Sequence, residues 1–137
     1  YIDILEDPTN QLTIEEVASE EYSNKFKKNK EQLPRNYHTK SSYWIRYRVV
    51  NTCDSTVKWL QEFYDSSIES IHFFVPDGEG GYIEDFGGNS LQFDEKNLQH
   101  KNFVFFLPDF HGQEMVYYAR VKSKHLNFMF SVIRTYE

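Results

Sequence analysis

A chain of 137 residues with a net charge of -6, 18% aromatic and 39% hydrophobic residues has the length of one domain whose core is built more from rings than from Leu and Val. That charge excludes a global positive field for nucleic acid or an anionic membrane surface, and the single Cys53 excludes an internal disulfide and a cysteine zinc cage. No apolar run reaches the ~18 residues that span a bilayer, and no charged segment followed by an apolar one opens the chain.

The chain begins at Tyr1 without Met and stops at Glu137 just after a strand-like run, so both ends read as trimmed from something longer. Glu6-Asp7-Pro8 reads as a turn that leads into a helix. The spacing predicts that helix over 13–26, because Ile14, Val17, Ala18, Tyr22 and Phe26 recur at three-to-four-residue intervals. Thr13 and Glu16 have the spacing of a capping box, and Lys25, Lys27 and Lys28 suit the negative end of the helix dipole.

After the polar stretch 28–34 the pattern changes to short runs of β-branched and aromatic residues separated by turn residues. Strands are expected near 42–51, 57–64, 68–75, 82–85, 102–107, 115–122 and 126–134. Strands at this spacing predict an all-β fold, a jelly-roll-like antiparallel β-sandwich with one short N-terminal helix, forming a single domain over 1–137.

Alternation along the strand at 42–51 places Tyr43, Ile45, Tyr47 and Val49 on one face, read as core, and Trp44, Arg46, Arg48 and Val50 on the other. In the strand at 115–122, Tyr118, Arg120 and Lys122 share a face in the same way. If the two polar-aromatic faces lie on one sheet, they converge. Rings that stack on the apolar face of a sugar, beside forked donors for hydroxyls or a carboxylate, make Trp44, Arg46, Arg48, Tyr118 and Arg120 the candidate ligand-binding residues. The competing structural reading makes Trp44 and Trp59 packing residues and pairs the arginines with a carboxylate such as Glu62 or Glu114.

Nothing in the pattern asks for a cofactor, a metal or a catalytic group. Asp77-Gly78-Glu79-Gly80-Gly81 lacks the spacing of a calcium loop and reads as a solvated hairpin turn. His38, His72, His100, His111 and His125 show no metal-binding spacing and read as exposed or structural. Glu62, Glu84 and Glu114 are the carboxylates that a glycan-active enzyme would draw on.

Three stretches carry a resemblance to a known family. Ile4-Leu5-Glu6-Asp7-Pro8 with Leu12-Thr13-Ile14-Glu15-Glu16-Val17, the strand Tyr43-Trp44-Ile45-Arg46-Tyr47 ending in Asn51, and Tyr117-Tyr118-Ala119-Arg120-Val121-Lys122-Ser123 occur in the order of one domain. That domain, which the chain resembles over nearly its whole length, is the type 2 extracellular domain of bacterial seven-transmembrane receptors with diverse intracellular signalling modules. Phe93-Asp94-Glu95-Lys96 departs from it, standing where the family tends to carry an Arg.

The resemblance implies a periplasmic or extracellular sensor domain of a receptor of kinase or cyclase type, binding carbohydrate or another small ligand. It also implies a membrane region beyond residue 137. Two alternatives stand beside this reading: a receptor-dimerisation or protein-interaction domain without a small ligand, and a small glycan-active enzyme.

Overall fold

The computed structural model describes residues 2–28, 41–50, 58–63, 68–86, 103–108, 112–123 and 131–136, which form nine strands and two short helices. The strands are β1 (Ile2–Asp7), β2 (Lys27–Lys28), β3 (Ser42–Val50), β4 (Lys58–Phe63), β5 (Ile68–Pro76), β6 (Tyr82–Phe86), β7 (Phe103–Phe106), β8 (Glu114–Ser123) and β9 (Ser131–Tyr136). They build a six-stranded sheet in the order β2-β1-β3-β8-β5-β6 and a three-stranded sheet in the order β7-β4-β9, with every pairing antiparallel. The seven strands expected after residue 40 are β3 to β9; the start of the last expected run and Cys53 lie outside the described residues.

Rings fill the space between the sheets. Tyr43, Ile45, Tyr47, Ile71, Phe73, Val75, Met115, Tyr117, Ala119 and Val121 of the larger sheet meet Phe63, Phe105 and Leu107 from the smaller sheet and the end of β7, while Val49 and Trp59 pack at the margin. Phe73 stacks on Phe105 across the gap at 4.5 Å between centroids, and Tyr47 stacks on Tyr117 at 4.8 Å. Offset ring pairs of this kind add to the stabilisation from area burial. Across the layers the Tyr117 hydroxyl donates to Oε1 of Gln61 at 2.7 Å. Burial, with Tyr47 beside it, pushes the Tyr117 phenol far above its ordinary range.

The other face of the larger sheet is covered too. The N-terminal segment lays Leu12, Ile14, Val17, Ala18, Tyr22 and Phe26 over Leu5, Trp44, Phe74 and Tyr118. β3 is therefore buried on both sides over most of its length, so its apolar and polar residues alike are hidden.

The expected helical stripe packs as a stripe, but the helix is not continuous. It divides into α1 (Ile14–Val17) and α2 (Glu20–Ser23), with Ser19 extended at φ -73, ψ 162. An unbroken helix would set Glu16 one turn below Glu20, a like-charge pair; the break instead puts Glu20 and Glu21 in the first turn of a new helix, where acids are favoured. Thr13 caps α1 as expected: its hydroxyl accepts from the Glu16 amide, and the Glu16 carboxylate accepts from the Thr13 amide, both at 3.3 Å. Lys27 and Lys28, expected at a helix end, form β2 against Ile4 and Asp3. β1 itself has no counterpart among the expected strands.

Candidate ligand-binding surface

The register of the six-stranded sheet sets the candidate residues in rows. One row runs Lys28, Asp3, Arg46, Tyr118, Phe74, Glu84 across all six strands; the next runs Leu5, Trp44, Arg120, His72, Phe86. Alternation sends all of these to the outer face, opposite the sandwich core. Trp44, Arg46, Arg48, Tyr118 and Arg120 thus do come together on one sheet. The N-terminal helices lie across the middle of them.

Beneath the helices, Trp44 is 1% exposed and stacks on Phe74 at 5.4 Å. Its indole Nε1 has no hydrogen-bond partner among the described residues. Tyr118 is 5% exposed and packs against Phe26 and Tyr82 at 6.1 and 5.8 Å. Burial raises the Tyr118 phenol, against the opposing pull of Arg46 and Arg48, and burial raises Tyr82 to about 12, helped by Tyr118. Both rings serve as packing in this conformation, which is the structural alternative for Trp44; Trp59 packs against the other core.

Arg46 is held by its own chain. Its Nε and Nη2 donate to Asp3 Oδ2 at 3.1 and 2.8 Å, Nη1 donates to the Ser23 carbonyl at 3.1 Å, and the guanidinium lies 4.4 Å from the Phe26 ring centre. The carboxylate partner is therefore Asp3, not the expected Glu62 or Glu114. The reason is topological: β1 runs beside β3 and puts Asp3 directly opposite Arg46. Arg46 ties β1 and the end of α2 to the sheet.

Arg120 makes a different tie. Its Nη2 donates to the Asn10 carbonyl at 2.8 Å. Asn10 sits in the left-handed region at φ 60, in the loop that Asp7 organises. Asp7 Oδ1 accepts from Thr9 and Asn10 amides, both at 3.1 Å, and Oδ2 accepts from the Leu12 amide at 3.0 Å. The Glu-Asp-Pro turn is thus a buried carboxylate cradling the loop before α1.

Arg48 remains exposed one alternation along β3 from Arg46, opposite Val116. With Asp3, Phe26, Lys28, Arg46 and Glu114 it lines an open depression of about 660 Å³, floored by the sheet and walled by the end of α2 and β2. Opposite charges face each other across it, so it suits a polar ligand with hydroxyls or mixed charge. Phe26, Lys28 and Asn24 were not among the sequence candidates, and Glu114 was named only as an arginine partner or glycan-active carboxylate; the pairing of Lys28 with Asp3 leaves no mark in a two-residue run, whereas Glu114 arrives through its pairing with Val50.

The remaining features resolve locally. Asp77 accepts from the Glu79 and Gly81 amides at 2.7 and 3.0 Å, and these bonds lower its carboxyl; Gly78 and Gly80 take the positive φ of a tight turn. Glu62 is buried on β4, while Glu84 and Glu114 share the outer face, two strands and about four residues apart. Strand geometry makes that separation roughly 16 Å, beyond the ~6.5–9.5 Å of paired glycosidase carboxylates. No described helix is long and apolar enough to cross a membrane. The family model described as 7TMR-DISM extracellular 2 matches residues 1–134. No curated protein matches the chain.

Proposed function

Because the chain belongs to the 7TMR-DISM extracellular 2 family, the extracellular domain of membrane receptors, we propose that it is the ligand-sensing part of its receptor and takes a carbohydrate or another small polar ligand in the depression beside Arg46 and Arg48. The observation that carries this reading is the shared use of Arg46. The same guanidinium lines the depression and joins β1, β3 and the end of α2. A ligand that draws on Arg46 therefore shifts the balance of contacts holding the N-terminal segment to the sheet, and occupancy becomes a change in packing.

The role is binding rather than catalysis, and no cofactor is invoked. Exposed hydroxyl-rich ligands would be held by the Arg48 fork, Asn24 and Glu114, while Phe26, like Trp44 and Tyr118, is buried and adds only an apolar edge. A thermal-shift screen against sugars, amino acids and organic acids tests it, since a ligand that binds only the folded state raises the melting temperature by mass action. Absence of any shift at millimolar ligand, with the chain folded, would count against the reading.

A second reading, contact with another receptor subunit or protein, is favoured by the edge strand β6, where Ile83 is 57% exposed. Sedimentation equilibrium with and without Ile83→Lys separates it from small-ligand sensing.

A further inference from the structure

The helices cover the middle of the outer face, Tyr118 and Phe74 included, and leave the row of Arg120, His72 and Phe86 on β8, β5 and β6 in contact with solvent. There the row Arg120, His72, Phe86 continues past the covered Trp44, and Lys122 lies on the same face one alternation beyond Arg120. Side chains directly opposite on antiparallel strands stand about 4.5–5.5 Å apart at Cβ, so these groups form one patch.

Arg120, His72 and Phe86 are each positioned by a contact of their own. The Asn10 carbonyl takes one N–H of Arg120 and anchors the guanidinium at Nη2, while its other N–H groups have no partner among the described residues. Glu84 Oε2 lies 2.6 Å from His72 Nδ1, which fixes the imidazole and turns Nε2 away from Glu84. That imidazole meets Phe86 edge-on at 4.5 Å, so the Phe86 ring is steadied from one side while remaining 48% exposed. The patch thus combines an oriented fork, a second cation and an accessible ring.

We propose that Arg120, Lys122, His72 and Phe86 form a second ligand site, separate from the depression, for a small carboxylate borne on a ring. The guanidinium matches a carboxylate through paired N–H donors, Lys122 adds charge, and the Phe86 ring takes the apolar face of the ligand. Glu84 limits the net positive charge, so a monoanion is suited better than a dianionic phosphate. Hexuronates and aromatic monocarboxylates share the required chemistry.

Calorimetric titration of the chain with glucuronate, benzoate, glucose and inorganic phosphate tests the assignment. At least one ring carboxylate is expected to bind ten-fold or more tightly than glucose and phosphate, and which one binds identifies the source of the carboxylate. Phe86→Ala and Lys122→Gln are each expected to weaken that binding at least five-fold with an unchanged melting temperature, while Arg48→Gln leaves it intact. The proposal is overturned if neither ring carboxylate binds, or if glucose or phosphate binds as tightly and with the same dependence on Phe86 and Lys122. It is equally overturned if Phe86→Ala and Lys122→Gln have no effect, or if Arg48→Gln abolishes binding and so moves the site to the depression.

Discussion

Arg46 and Asp3, 43 residues apart in the chain, share a single carboxylate oxygen through two N–H donors at 3.1 and 2.8 Å. The pair is buried, with 7% and 9% of the two side chains exposed. Removing one partner leaves an uncompensated charge, which typically costs about 3–5 kcal/mol, whereas removing both together costs much less. Arg46→Met is therefore expected to destabilise strongly and Asp3→Asn/Arg46→Met to recover part of the loss. Chemical denaturation of the singles and the double measures the coupling; additive losses would show that the pair contributes nothing as a unit.

Trp44 is packed with its indole N–H unpaired among the described residues. Trp44→Ala should cost roughly 3–5 kcal/mol by opening a cavity under α1 and α2, while Trp44→Phe keeps a ring and loses no hydrogen bond, so its cost stays below about 2 kcal/mol. Thermal unfolding of the two variants checks this. Equal losses would place a polar partner on Nε1.

The larger part of the fold was legible because its signals are local. Alternation through Tyr43, Ile45, Tyr47 and Val49 marks the sandwich face directly, and the Thr13 to Phe26 stripe marks a segment that must pack on something, without saying on which face. β1 was hidden for a physical reason: half of Ile2–Asp7 is acidic, and its buried face carries Asp3 and Asp7, polar groups satisfied by Arg46 and by the Asn10 loop, so the strand lacks an apolar alternation. The same non-local pairing explains the site. The sequence could place Trp44, Arg46, Tyr118 and Arg120 on one face, and their register puts them in neighbouring rows; nothing local signals that α1 and α2 lie over Trp44 and Tyr118 and leave Arg48 and Arg120 at opposite margins.

Ile45 is 1% exposed in the sandwich core, on the strand whose outer face carries the arginines. Ile45→Ala is expected to cost on the order of 2–5 kcal/mol through the cavity it leaves. Unfolding by urea measures it, and a midpoint equal to the parent's would mean that the core face is misassigned.

The raised phenols make stability fall in alkali. Tyr82 is raised from 10.0 to about 12, so the unfolded chain releases its proton first. Between those values the folded state binds more protons than the unfolded state, and stability drops as pH rises. The contribution is fully present below pH 10 and is lost through about pH 12. Tyr82→Phe removes this term. The stability difference between parent and variant, from urea midpoints at several pH values, should shift against the parent across that window; a difference independent of pH would contradict the assignment.

Arg48 separates binding from folding more cleanly than Arg46 does. Arg46 is buried and structural, so its replacement disturbs the scaffold and the depression together. Arg48 lines the same depression from an exposed position on β3. Exposed substitutions of this kind usually change stability by less than about 0.5 kcal/mol, whereas losing a charge-assisted hydrogen bond to a ligand costs about 1.5–3 kcal/mol, or roughly ten-fold or more in affinity. For a ligand found by thermal-shift screening, Arg48→Gln is therefore expected to weaken binding about ten-fold or more with the melting temperature unchanged. Arg48→Lys retains the charge without the fork and should fall between parent and Gln if the ligand uses paired donors. Arg120→Lys, at the far margin of the sheet, should leave that ligand's affinity alone. Titration calorimetry on the three variants decides the matter: affinity insensitive to Arg48 but reduced by Arg120→Lys would transfer the sensing site to the β8-β5-β6 end of the face.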